Sequence, residues 1–239
     1  PEHMIRTFVR NWEREPWRGY APGPPTIFRM VKLGIPWSEA AKRLYGGMGS
    51  FGNGAAMRVA PIGLLYHDDE ETLRRIAYQS AKLTHAHELG MEGAAVQACA
   101  VALAVRSKPG SLDPRDFLER VANFARKEVY RRKLREAECL LEVDDRRVVA
   151  RRLGNSVEAF NSVPTAIYCF ARNLQSYVGA VLYAVSLGGD MDTIGAMAGA
   201  IAGAYHGLEA IPHPWVERLE RAGYIQTLAR RLFRVKFPS

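Results

Sequence analysis

Cysteine is scarce in this sequence. Cys99, Cys139 and Cys169 are odd in number, far apart and without CxxC spacing, which excludes a disulfide framework or cysteine-held zinc and points to a reducing, cytoplasmic setting. Long apolar runs are missing too. The longest small and apolar stretch, Ile194 to Tyr205, falls short of the roughly 18 to 20 residues that cross a bilayer, so no membrane span is expected. Residues Pro1 to Arg18 are polar and amphipathic, unlike the basic cap and apolar core of a signal peptide. Period-two runs bounded by turn signals are also absent, so strands are not expected.

What is present is apolar spacing at the helical period over nearly the whole chain. With 239 residues, 48% hydrophobic and 24% charged, the chain can bury a core on its own composition. No internal repeat and no linker divides it, so the expectation is an all-α, single-domain compact helical bundle. The net charge is +8, and 26 of the 33 basic residues are Arg, a composition suited to phosphate or carboxylate recognition. Between Arg126 and Arg152 stand ten basic and six acidic residues. Their signs are interspersed, Tyr130 is nearly alone as an aromatic, and Leu134, Leu140 and Leu141 fit an amphipathic stripe. That pattern is a solvated helix face rather than a nucleic-acid surface.

Helices are expected over about His3 to Arg14, Ala55 to Tyr66, Glu70 to His87, Gly93 to Arg106, Val148 to Phe160, Pro164 to Arg172, Tyr177 to Leu187 and Thr193 to Tyr205, with a basic C-terminal region through Phe233. Arg18 to Pro25 and Gly46 to Gly54 read as loops because of their glycines and prolines. Asp68, three residues before Glu71, has capping-box spacing for the helix starting at Glu70.

Three clusters have chemical potential. Gly195, Gly199, Gly203 and Gly207 recur every four residues on one helix face, which favours close packing against a neighbouring element. Just before them, Asp190, Asp192 and Thr193 stand in a turn loosened by Gly188 and Gly189. Their oxygen donors suit a hard cation such as Mg²⁺; equally, Asp192 can cap the helix while Asp190 is solvated. The third cluster, Gly49-Ser50-Phe51-Gly52-Asn53-Gly54, can turn backbone N–H groups onto a phosphate, with Ser50 and Asn53 adding hydrogen bonds and Phe51 a stacking face; it can also be an ordinary Gly-rich turn. His85 and His87 are two apart, so on a continuous helix they diverge and do not chelate. His85 can donate to an anionic ligand or serve as a hydrogen-bonded helix-terminal histidine.

Taken in order, Gly49 to Arg58, Leu83 to Ala86, Ser162 to Ala166 and Gly188 to Ile194 resemble the ADP-ribosylglycohydrolase family, nearest its serine-type subgroup, along a span from about Arg18 to Gly207. The resemblance implies an all-α domain with a two-magnesium centre that cleaves the bond between ADP-ribose and a protein side chain, or a related conjugate. It implies Asp190, Asp192 and Thr193 as metal ligands. Gly49, Ser50, Phe51, Gly52 and Asn53 then form the ADP-ribose loop, His85 lies near the diphosphate, and Gly19 contacts the distal ribose. The expected partner is an ADP-ribosylated protein or conjugate, bound by a monomer.

Two features depart from the family pattern. Met191 stands where a second Thr is usual. The family's Gly-Asp motif, catalytic Glu and Thr-Asp-Asp-Thr metal motif do not occur in this sequence, and Pro1 to Arg6 resembles the family's continuation just after that metal motif. The expectation is therefore a domain over residues 1–239 without its N-terminal portion and with its catalytic residue unassigned. A rival expectation is a truncated or non-catalytic module that binds ADP-ribose.

Overall fold

The computed structural model describes residues 1–238, among which helices alternate with loops and no strand is present. The chain opens with α1 (Glu2–Arg14), α2 (Gly23–Lys32) and the short α3 (Trp37–Ala40). Then come α4 (Ala60–Leu65), α5 (Glu70–Lys82), α6 (Glu88–Arg106), α7 (Pro114–Phe124), α8 (Glu128–Cys139) and α9 (Arg146–Leu153). The last five are α10 (Ala159–Arg172), α11 (Tyr177–Ser186), α12 (Met191–His206), α13 (His213–Arg218) and α14 (Ala222–Lys236).

Helix α6 is the axis of the core. Its small residues, from Ala94 and Ala95 to Ala104, are buried on all sides, which lets α4, α5, α10 and α12 all lie against it. Gly63 shows how closely: a Cβ there would stand 2.6 Å from the carbonyl oxygen of Ala98. By length and hydropathy α6 could cross a bilayer, yet 78% of its most apolar window is buried inside this core. Phe117, Tyr130, Tyr168 and Phe170 fill the space around it; each such buried side chain contributes roughly 1.5–3 kcal/mol. A smaller cluster of Ile5, Ile27, Phe28, Ala40, Ala41 and Leu83 seats α1 to α3 on the end of α5.

The glycine stripe does pack as its spacing suggests. Cβ atoms on Gly195 and Gly199 would lie 3.1 Å from Val185 and 3.3 Å from Val181 of α11. Gly207 is different: at φ 81° it ends α12 as its C-cap. The basic segment is likewise a pair of amphipathic helices, α8 and α9, with Leu134 of α8 and Leu140 and Leu141 of the loop between them buried.

Several expected boundaries are corrected. Pro24 and Pro25 fall within the first turn of α2, where a missing N–H costs little. Residues 53–55 form a 3₁₀ turn, and the next α-helix begins only at Ala60. The cap of α5 is Asp69, whose carboxylate accepts from Thr72 N at 3.0 Å; Asp68 instead pairs with Lys236. Helix α5 stops at Lys82, so Thr84 to His87 form a link and the two histidines do not share a helix. The expected helix from Val148 to Phe160 breaks at Gly154, whose φ of 86° is left-handed. Helix α10 starts at Ala159, with Pro164 inside it rather than at its head.

Candidate active site

The break at Gly154 creates the site. Residues 155–158 leave the helical path and, with Ala159 at the head of α10, lie antiparallel to the glycine loop: Asn53 N donates to Val157 O at 2.9 Å and Ala159 N to Phe51 O at 3.0 Å. The same segment holds the Gly188-Gly189-Asp190 turn, because Asp190 N donates to Asn155 O at 2.7 Å and Asn155 Nδ2 donates to Leu187 O at 2.8 Å. Gly189 must be glycine here, since its φ is 65° and a Cβ would stand 2.1 Å from Asn155 O. Three remote stretches thus form one surface, in the order glycine loop, strap 155–158 and acidic turn.

Asn53 joins the outer two directly. It is buried, and its Nδ2 donates to Asp190 Oδ2 at 2.5 Å and to Ser162 Oγ at 3.0 Å. Its amide hydrogens are therefore used within the protein, where they hold Asp190 and Ser162 against the glycine loop. Asp190 occupies the N-cap of α12 but makes no side-chain cap bond. This overturns the reading of a merely solvated Asp190. Asp192 is exposed, with Oδ1 accepting from Thr193 N at 2.9 Å. It heads an apolar groove of about 480 Å³ between α11, α12 and Trp215. Asp190, Asp192 and Thr193 share one turn and offer only oxygen donors.

The glycine loop is shaped from below. Gly49 has φ 73°, and a Cβ there would stand 2.9 Å from His87 N. Ser50 Oγ accepts from Gly52 N at 3.1 Å, which closes a tight turn and leaves the hydroxyl hydrogen free. Helix α6 runs directly beneath: a Cβ on Gly90 would lie 2.7 Å from Ser50 O. Phe51 is 36% exposed and has its ring centre 5.3 Å from that of His87 and 6.0 Å from that of Phe160. The three rings make an aromatic wall beside the loop.

His85 is buried under Gly52 and Gly54; a Cβ on Gly54 would meet its ring at 2.9 Å. Its Nδ1 lies 2.7 Å from Thr84 Oγ1, which already accepts from Arg58 Nη2 at 2.9 Å. The Thr84 hydroxyl has its own hydrogen to give to Nδ1, an arrangement that places the ring hydrogen on Nε2. Burial, reinforced by the nearby Arg58 charge, pushes the His85 pKa down to about 3. His85 is thus a neutral imidazole facing the glycine loop. Among the described residues Arg58 donates to neutral oxygens alone, Gly54 O at 2.9 Å, Ser80 O at 3.1 Å and Thr84 Oγ1, and its guanidinium lies 5.1 Å from the Phe8 ring centre. Burial lowers its pKa to about 10, still leaving a positive charge under the loop at neutral pH.

Gly19 stands apart. It is exposed at φ 68°, its neighbour Arg18 pairs with Glu220 near the start of α14 at 2.6 Å, and among the described residues no hydrogen bond joins it to the glycine loop. Conversely, Asn155, Ser162, Phe160, Thr84 and Arg58 belong to the site although sequence reasoning assigned them no role. Ser162 had a signal, since it opens one of the four resembling motifs; Asn155 had only its place after a glycine.

The chain is similar to known proteins over nearly its whole length. The family model described as ADP-ribosylglycohydrolase matches residues 1–238. ADP-ribosylhydrolase ARH3 of Bos taurus is 38% identical over 263 residues, covering 97% of this chain and 71% of the relative. Its Homo sapiens counterpart is 38% identical, with 97% and 72% covered, and an uncharacterized protein of Archaeoglobus fulgidus is 33% identical, with 98% and 72% covered. A solved structure described as an ADP-ribosylglycohydrolase-related protein complex superimposes with a TM-score of 0.68 at 25% identity, covering 98% of this chain and 81% of that one.

Proposed function

Because the chain belongs to the ADP-ribosylglycohydrolase family and is on that ground a hydrolase of ADP-ribose conjugates, we propose that it releases ADP-ribose from a protein side chain with the help of magnesium. One observation carries the reading: Asn53 ties an anion-seating glycine loop to an acidic turn through its 2.5 Å bond to Asp190. An ADP-ribose conjugate needs both features at once, a seat for its diphosphate and oxygen ligands beside its ribose.

In this reading the Ser50 hydroxyl, free N–H groups of the Gly49–Gly54 loop and the Nε2–H of His85 bind the diphosphate. The charge of Arg58 beneath the loop favours the anion without contacting it. Phe51, His87 and Phe160 give a ring of the ligand an apolar face and exclude water. The donor set of Asp190, Asp192 and Thr193 fits a hard divalent cation. Among the described residues no group of three or more His, Cys, Asp or Glu could hold a metal alone, so these three supply part of a coordination sphere. When bound there, magnesium supplies the positive charge that holds ribose hydroxyls and polarises the anomeric carbon. Asn53 keeps Asp190 turned toward that position.

The test is release of ADP-ribose from a serine-ADP-ribosylated peptide with magnesium and with EDTA. Asp190→Ala should abolish turnover, whereas Ser50→Ala should chiefly raise KM; full turnover by Asp190→Ala overturns the metal role. In a second reading the chain is a module that binds ADP-ribose without cleaving it. Tight, magnesium-independent binding by calorimetry, with no turnover, would establish it.

A further inference from the structure

Outside the proposed site, a polar cavity of about 740 Å³ opens between the first turn of α5 and the α7–α8 junction. Four arginines line it, Arg74, Arg126, Arg131 and Arg135, with Glu70 and Glu71 among the other lining residues. Its wall is built rather than incidental. Glu92, fully buried, accepts from Arg126 N and Lys127 N on one oxygen and from Tyr78 Oη on the other. Those bonds fix the junction between α7 and α8. Arg74 is 8% exposed; its guanidinium stacks 3.6 Å from the Phe124 ring centre, and Nη2 donates to Phe124 O. Its Nη1 has only Glu92 Oε2 at 3.7 Å and no hydrogen bond. Arg131 is pinned to the junction by bonds from Nε to Ala125 O at 2.8 Å and from Nη2 to Arg126 O at 2.6 Å.

The guanidinium groups of Arg126 and Arg135 remain. Among the described residues neither makes a hydrogen bond or ion pair, and Glu70 and Glu71 form no ion pair with any of the four arginines. Arg131 and Arg135 are spaced i,i+4 on α8, where like charges repel. Buried Glu92 offsets Arg74, and Glu128 lies 3.5 Å from Arg131 Nη1, so among the described residues the lining arginines with donors to spare are Arg126 and Arg135. Planar guanidinium forks match the oxygens of a phosphate group, and a dianion there relieves the repulsion.

We propose that this cavity is a second anion site that takes a phosphate group, held by Arg126 and Arg135 against the wall fixed by Arg74, Phe124 and Arg131. Inorganic pyrophosphate is the first probe, titrated calorimetrically into the full chain. The expected result is binding that weakens with salt and falls by roughly tenfold or more in Arg126→Ala/Arg135→Ala. Both side chains are exposed and outside the core, so this variant should unfold at the parent temperature. Glu70→Gln/Glu71→Gln should bind several-fold more tightly, a gain that a merely structural effect does not produce. The same titration on Ser50→Ala reports binding at the glycine loop. Loss there with no change in the double arginine variant overturns the proposal, as does no binding to the parent chain. Ribose 5-phosphate and a phosphoserine peptide, compared on the same variants, distinguish a sugar phosphate from a protein-borne one.

Discussion

Asn53 Nδ2 donates to Asp190 Oδ2 at 2.5 Å, a bond that spans 137 residues of sequence and makes one residue answer to both the glycine loop and the acidic turn. Its second amide hydrogen goes to Ser162 Oγ at 3.0 Å, so the side chain has no freedom to turn away. Asn53→Ala should lower magnesium affinity by roughly 10- to 100-fold, the range typical of groups that orient a metal ligand. A magnesium titration of turnover, compared with KM for the conjugate, checks this; unchanged metal dependence excludes the role.

Gly54 and His85 make a pair that can be tested for coupling. A methyl group at position 54 would stand 2.9 Å from His85 Cε1 and 3.0 Å from Nε2. Gly54→Ala should therefore displace the ring, cost about 1–3 kcal/mol in urea denaturation and weaken ADP-ribose binding. His85→Ala makes the room, so the double variant should be more stable than the sum of the two single losses.

Protonation of His85 fixes the sign of a pH effect. Its folded pKa, pushed down to about 3 by burial, lies below the ordinary 6.5. Between those values the unfolded chain binds the proton and the folded one does not, so stability falls as pH drops through this window. Above about pH 6.5 the contribution is constant. Denaturation midpoints at pH 7.5 and 5 should differ, and His85→Gln should reduce that difference.

Gly188 and Gly189 separate strain from collision. Both have left-handed φ, 70° and 65°, but a Cβ at 188 has its nearest neighbour at 3.9 Å, whereas one at 189 meets Asn155 O at 2.1 Å. Gly188→Ala should cost roughly 1–2 kcal/mol, the conformational penalty alone. Gly189→Ala should cost more and also abolish turnover, because it pushes the strap and Asp190 apart. Equal losses in thermal melts would refute this account.

Much of the fold can be read from helical spacing, because burial of one face leaves a period that survives in the sequence. The acidic turn and glycine loop are legible for a related reason: their glycines answer backbone demands that no other residue meets. The strap is where reading by spacing fails. Val148 to Phe160 has helical spacing, but Gly154 takes a left-handed φ of 86° and the next residues pair with Phe51 and Asn53 instead. That choice is made by partners about 100 residues away, which local propensity does not record. Asn53 shows the same limit, since its type suggests a ligand donor and only the tertiary contact with Asp190 reveals an internal brace.

The strap also sets when in folding the site appears. Its bonds close loops to Asn53 on one side and to Asp190 on the other, and each closure costs chain entropy before it returns any contact energy. Closing contacts of such high sequence separation slows folding, and the site is complete only when the strap has met both of its partners. It comes into being with the docking of α6, α10 and α12, and a single cut between Gly154 and Glu158 should disperse both halves while leaving much of the helix content intact.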